Sequence, residues 1–293
     1  MTVSQSTVAA RATKPGHIKA VRAVQSVLLH ILAIGLGVIF IAPFVWMVST
    51  SLKDVEQLYT QAPKLIPNPM RFENYAEAWN SLPFLRYTLN TSFITVSCIV
   101  LEVISCGFVA FGFARMNFKL RDFWFGVLLA SMMLPGSVKM IPMYVIWRNL
   151  GMLDTYVPLI LPAAFGSAFY IFLLRQFLLG IPRELDDAAR IDGCGYLQIW
   201  WHIMMPLTRT ALITVAVFTF MGAWNDFFGP LIYLTSDAKK TLALGLRIFQ
   251  GQYGSEDHLL MAASVIVLLP CLMVFMAAQR YFIKGIALSG LKG

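Results

Sequence analysis

Charge is what this sequence has least of. Of its 293 residues, 23 are Lys or Arg and 15 are Asp or Glu, about half the charged share that covers the surface of an average soluble domain. With 58% hydrophobic residues and a mean hydropathy of +0.69, a single water-exposed globule is excluded and the chain belongs in a membrane. Cysteine is scarce too: Cys98, Cys106, Cys194 and Cys271 form no C-x-x-C pair and three sit in apolar runs, which argues against a disulfide framework or a zinc site. The chain has no H-E-x-x-H, no G-x-S-x-G and no G-x-x-x-x-G-K-[ST], and its four histidines, His17, His30, His202 and His258, are scattered. Neither a membrane enzyme nor a self-contained nucleotide hydrolase has its usual signature here. The net charge of +8 falls between apolar stretches, where it sets membrane orientation; nucleic acid is not an expected partner.

Long apolar runs fill most of the rest. The first, Ser26 to Thr50, is uncharged and long enough to cross about 30 Å of hydrocarbon at about 1.5 Å per residue. Its length reads as a retained span, not a removable leader. Five further spans are expected at about Leu89 to Phe113, Phe123 to Trp147, Tyr156 to Leu179, Leu207 to Tyr233 and Leu259 to Ile283. The fold class is therefore an all-α integral membrane protein with six transmembrane helices. Pro135, Gly136, Lys139 and Pro142 interrupt the third span and are expected to bend it or end it early. Fourteen Lys and Arg fall in the two tails and in the loops on their side, eight in the opposite loops, so both termini are expected in the cytoplasm. The resulting domains are an amino tail (1–25), a six-helix transmembrane domain (26–283) and a carboxyl tail (284–293). On the outer side, 51–88 is expected to fold as a short ordered cap.

The loop 180–206, IPRELDDAARIDGCGYLQIWWHIMMP from Ile181, is the most informative stretch. Pro182 near the start, Glu184, Asp186 and Asp187 in a first turn, Arg190 near the end and Gly193 as a left-handed cap together predict a helix of about three turns. Ala188 and Ala189 leave backbone open to close approach by another protein. An amphipathic helix lying on lipid is the competing reading, against which the acids count, since anionic headgroups repel them.

This loop resembles the EAA loop of permease subunits of binding-protein-dependent ABC importers, in the carbohydrate-uptake (maltose-type) branch. Asp187 stands where the motif usually has Glu; Ala188, Ala189 and Gly193 match, with Asp192 beside the glycine, and Met205-Pro206 replaces the usual Leu-Pro. NPMRFENYAEAW (from Asn68), PFLRYTLNT (from Pro83), MMLPG (from Met132), LRQF (from Leu174), WND (Trp224 to Asp226), FQGQYG (from Phe249) and QRYFIKG (from Gln279) also look like this branch and follow its order. The resemblance implies an inner-membrane importer subunit with a cytoplasmic coupling helix. Glu184, Asp187, Ala188, Ala189, Asp192, Gly193 and Pro206 would face a separate ATPase that holds the ATP and Mg. No cofactor would sit on this chain. The partners it implies are a second homologous permease, two ATPase subunits and an extracytoplasmic solute-binding protein. It also implies that the loop carrying Gln250, Gln252 and Tyr253 reaches that binding protein, and that the carboxyl tail reaches toward the ATPase dimer.

For the solute, Asp226 beside Trp224 and Asn225 combines an aromatic face with hydrogen-bonding groups inside an apolar run, chemistry suited to a saccharide; a helix-packing polar cluster is the alternative. Glu102 is a second ionisable group in a span, with only Ser105 as a polar neighbour. Lys139 in the third span would favour an acidic saccharide such as alginate, unless it snorkels to the interface. A secondary transporter or channel remains the alternative class, for which broken helices in both halves would be the sign; only the third span reads as broken.

Overall fold

The computed structural model describes residues 15–58, 64–249 and 256–290, and among them there is no β-strand. Eleven helices carry the argument: α1 (Pro15–Ser51), α2 (Glu73–Ser81), α3 (Phe84–Arg115), α4 (Arg121–Ser131), α5 (Gly136–Asn149), α6 (Ala168–Leu179), α7 (Glu184–Ile191), α8 (Arg209–Trp224), α9 (Phe228–Tyr233), α10 (Leu242–Ile248) and α11 (Asp257–Gly290). Four helical stretches are long and apolar enough to cross a bilayer: Arg22–Ser51, Phe84–Arg115, Val157–Leu179 and Asp257–Arg280. Two bent pairs bring the count to six if each is one span.

The third span bends as its prolines predict. α4 and α5 meet at 97°, because Pro135 has no N–H to continue the ladder and its ψ of 141° is extended. Two further breaks correct the expectation that only this span is interrupted. In the fourth, Pro158 and Pro162 tighten the chain into the 3-10 turn Leu161–Phe165, and Gly166 at φ +74° redirects it before α6. A side chain at Gly166 would be both strained by that φ and crowded, its Cβ 3.1 Å from Cys106 Sγ. The fifth span, expected to be continuous from Leu207 to Tyr233, stops at Trp224 and resumes at Phe228.

α3 is the central pillar. Its small residues Cys106, Ala110 and Ala114 are fully covered, and α6 and α8 pack along it through Leu174, Leu178, Ala211 and Val215. α11 closes against α8 and α1, whereas α1 leaves its apolar side chains exposed from Val24 to Val45. Exposure of that kind suits a helix facing lipid or another membrane subunit.

At one end of the pillar α2 forms the expected cap. Asn74 Nδ2 donates to the Ser51 and Lys53 carbonyls at 2.9 and 2.8 Å, and Trp79 stacks on Phe84 with centroids 5.8 Å apart. Nearby, Asp154 joins two loops: its carboxylate accepts the Thr235 and Ser236 N–H groups at 3.0 and 2.9 Å and pairs with Lys239 at 3.1 Å. These donors, the Ser236 hydroxyl first, hold the Asp154 carboxyl well below its ordinary value of 3.8. A depressed pKa stabilises the folded chain above the ordinary value, and the gain is lost as pH falls below it. Asp154→Ala is therefore expected to lower the melting temperature in detergent at pH 7, with the gap to the wild type closing as pH drops below about 4. A gap that stays constant across that range would exclude this role.

Candidate functional site

Two features stand out, a hook at the far end of the pillar and a cavity where the spans break. The hook begins with α7, whose eight residues span about 12 Å, roughly two turns and not the three expected. Pro182 lies outside it. Glu184, Asp186 and Asp187 occupy the first turn and Arg190 the last, the arrangement the helix dipole favours by about 0.3–1 kcal/mol per charge. Gly193 at φ +81° ends the helix in a Schellman turn: Cys194 N–H donates to the Ala189 carbonyl at 2.9 Å and Gly193 N–H to that of Arg190 at 3.0 Å.

The anchor of the hook is a pair absent from the sequence-derived candidates. Arg115, the last residue of α3, bonds Asp186 at 3.3 Å with side chains 3% and 9% exposed. Its guanidinium also donates to the Leu178 and Ile181 carbonyls, both at 2.8 Å, so one side chain ties the end of α3 to the end of α6 and to α7. Burial pushes the Asp186 carboxyl up from its ordinary value, and the Arg115 charge opposes that shift. The two alanines divide: Ala189 is buried in the apolar cluster that also holds Ile199 and Trp200, while Ala188 is exposed. Leu185, Ala188 and Ile191, spaced by three, form an open face on which Ile191 is 87% exposed. Glu184, Asp187 and Asp192 are also exposed, and Asp187 makes only a long 4.0 Å contact to Arg190, worth little on a surface.

After Gly195, whose N–H donates to Gln198 Oε1 at 2.8 Å, the chain widens into a π-helix, Ile199–Met204. This segment lies across α3 at Gly107, where a Cβ would stand 3.3 Å from Met205 Sδ. Trp200 meets Phe108 edge-on at 5.3 Å. Pro206, exposed, begins the last short turn before the chain bends by 80° into α8.

The cavity, about 690 Å³, opens between α3, α8 and the three interrupted spans, and Glu102, Lys139 and Asp226 all line it. Glu102, 7% exposed, accepts the Ser167 N–H at 2.6 Å and the Cys106 thiol at 3.4 Å through Oε1, capping the entrance to α6. Asp226 does the same at α9, where Oδ1 accepts the Gly229 N–H at 3.1 Å. A side chain at Gly229 would collide with the carboxylate, the Cβ falling 2.4 Å from Oδ2. Trp224 and Asn225 are not brought to the cavity. Trp224 is buried, donates to the Val267 carbonyl at 3.1 Å and stacks on Phe220; Asn225 Nδ2 donates to the Met221 carbonyl at 2.8 Å. Gln250, Gln252 and Tyr253 lie outside the described residues, and the segment leading to them is moored: Asn90 donates to the Ala238 and Lys240 carbonyls, and Gly245 rests on the Tyr87 ring. No cluster of three His, Cys, Asp or Glu suited to a metal occurs among the described residues.

A multi-pass helical membrane component, with a cavity at its broken spans and a firmly anchored hook at one end, has the architecture of a transport permease. The sequence pattern of the binding-protein-dependent transport system inner membrane component family matches residues 104–288, and the chain belongs to that family. It is 32% identical over 278 residues to the arabinooligosaccharides transport system permease protein AraQ of Halalkalibacterium halodurans, covering 93% of this chain and 99% of that one. To the sn-glycerol-3-phosphate transport system permease protein UgpE of Yersinia pestis it is 34% identical over 268 residues, 87% and 93% of the two chains. Among solved structures, a chain of a bacterial ABC transporter involved in the import of the acidic polysaccharide alginate superposes with a TM-score of 0.78 over 93% of this chain and all of that one, at 23% identity, a likeness of fold. The chain is thus the permease subunit of an ABC import system, and ATP hydrolysis belongs to a separate subunit.

Removing Arg115 strands a buried carboxylate, which typically costs about 3–5 kcal/mol. Arg115→Met is expected to loosen 180–195 in hydrogen exchange of the purified subunit and to lower its melting temperature. Arg115→Met with Asp186→Leu, which removes both charges, is expected to recover most of that loss.

Proposed function

We propose that this chain is one of two homologous permease subunits of a saccharide importer, receiving solute from an extracytoplasmic binding protein and driven through its hook by two ATPase subunits that hold ATP and Mg. The observation that carries this reading is the construction of the hook, stiff within and open without. Arg115 and Asp186 hold α7 to the pillar, while Leu185, Ala188 and Ile191 present an exposed apolar face. A groove on another protein fits such a face better than headgroups do, because exposed Glu184, Asp187 and Asp192 surround it. In this reading Glu184, Asp187 and Asp192 steer docking, Ala188 permits close approach, Ala189 packs the hook internally, and Gly193 and Pro206 fix its two corners.

The domains follow: a hook over 180–206 within a permeating domain of 26–283, and tails 1–25 and 284–293. The excess of Lys and Arg on the hook side supports placing both termini in the cytoplasm. Gln250, Gln252 and Tyr253 then belong to an outer loop that meets the binding protein. A saccharide is the solute that relatives such as the arabinooligosaccharides permease AraQ favour; a transporter of similar fold is itself involved in the import of the acidic polysaccharide alginate.

The test is reconstitution of the assembled complex in proteoliposomes. Ile191→Glu alters an exposed side chain, so the subunit should fold and assemble in the membrane, yet ATP-driven uptake should fall by at least about tenfold, the effect of losing roughly 1.4 kcal/mol of docking. Solute movement down a gradient by the subunit alone, with no ATPase, would remove this function.

A further inference from the structure

The cavity carries charges whose balance bears on the solute. Glu102 and Asp226 contribute two carboxylates and Lys139 one ammonium. Among the described residues Lys139 forms no ion pair within 4.0 Å of either, so the three act as separate groups. Each carboxylate spends one oxygen on the helix it caps, Glu102 on Ser167 and Asp226 on Gly229. A carboxylate has acceptor capacity on both oxygens, and the bonds from Ser167, Cys106 and Gly229 go to Oε1 or Oδ1, so acceptor capacity remains for a ligand. Lys139 also lines an adjoining apolar cavity of about 610 Å³ with Met140, Met143 and Trp147, and its own helix α5 is largely exposed. The cation therefore stands at the junction of two spaces, and the carboxylates stand at helix starts within the first.

We propose that this cavity admits a neutral or amino-bearing saccharide segment and turns away uronates, with Glu102 and Asp226 as the residues that decide. The inference rests on the transport reading above and specifies its solute. Sugar hydroxyls and ammonium groups are donors, and the open carboxylate oxygens are the acceptors they need. The Tyr170 and Phe218 rings on the cavity wall offer flat apolar faces for the C–H surface of a pyranose or furanose. A volume of about 690 Å³ lies in the range of small-ligand sites. A uronate would bring a third carboxylate into a space where two already face one cation, and like charges repel most where water is scarce. The repulsion comes from the ionised carboxylates, which outnumber the one ammonium on the cavity wall. The discrimination is built from repulsion as much as attraction.

The experiment measures binding to the assembled permease and ATPase complex in nanodiscs, with no binding protein present, so that only the membrane cavity discriminates. The probes are arabinotriose, a glucosamine trimer and a guluronate trimer, by equilibrium dialysis at low salt. In the wild type the first two are expected to bind at least about tenfold tighter than the third, one unit of roughly 1.4 kcal/mol. Asp226→Asn and Glu102→Gln are expected to narrow that gap, chiefly by weakening the glucosamine trimer. The wild-type ratio needs no variant and stands as the primary result. Guluronate binding equal to or tighter than the others would overturn the proposal, as would a gap unchanged in both variants. Absence of binding by all three trimers, in complexes that show ATP-driven uptake when reconstituted with a binding protein in proteoliposomes, would overturn it too while leaving the transport reading intact. Uptake by those proteoliposomes without ATP would instead strike the transport reading.

Discussion

A backbone amide without a partner costs several kcal/mol in hydrocarbon, and three of the spans in this protein are broken. That constraint governs where its few intramembrane charges lie. The fourth span restarts at α6 with the Ser167 amide bound by Glu102, and the fifth restarts at α9 with the Gly229 amide bound by Asp226. Irregular backbone at membrane depth is tolerated where it is buried in protein or lines a cavity, and the two carboxylates meet both conditions together. At the third break Pro135 brings no N–H that needs a partner, and Val138 N–H returns to the Pro135 carbonyl at 3.1 Å.

The breaks and the cavity have one cause. Where a span ends early, its side chains no longer fill the space beside α3, and the gaps left by three interrupted spans coincide. Glu102 and Asp226 would cost at least about 2.5–3.5 kcal/mol each if turned to lipid at the centre of a helix. Placed at the gap, they hold a helix start and line the cavity. Replacing either therefore disturbs a helix start and the cavity lining at once.

Much of this was legible in the sequence. The apolar stretches, the bend at Pro135 and the hook between Ile181 and Pro206 follow from local rules of hydropathy and capping, and the left-handed Gly193 is where those rules place it. The rest depended on partners distant along the chain. Glu102 has little polar company nearby in sequence because its partner is Ser167, and Arg115 reads as an ordinary basic residue at a span end because Asp186 lies 71 positions on. Trp224 and Asn225 look inseparable from Asp226, yet the helix ends beneath them: Trp224 still follows the packed face toward Val267, and Asp226 turns to the gap. The breaks in the fourth and fifth spans have weaker local signals, Gly166 with its neighbouring prolines and Gly229-Pro230. The shortness of α7 follows from Pro182 falling before the helix instead of within it.

The position of the hook supplies the last step. α7 is fixed to the pillar at Arg115, but the π-helical segment after it leads through Pro206 and an 80° bend straight into α8. α8 has 16 residues, about 24 Å at the rise of an α-helix, and ends at the residues before Asp226. A helix transmits displacement along its axis with little loss, whereas the loop at Asn225 to Phe227 absorbs it. A push on the open face of the hook therefore reaches the cavity at the joint of the fifth span. Asp226 sits on that joint, so a shift of α8 against α9 moves a carboxylate that lines the cavity.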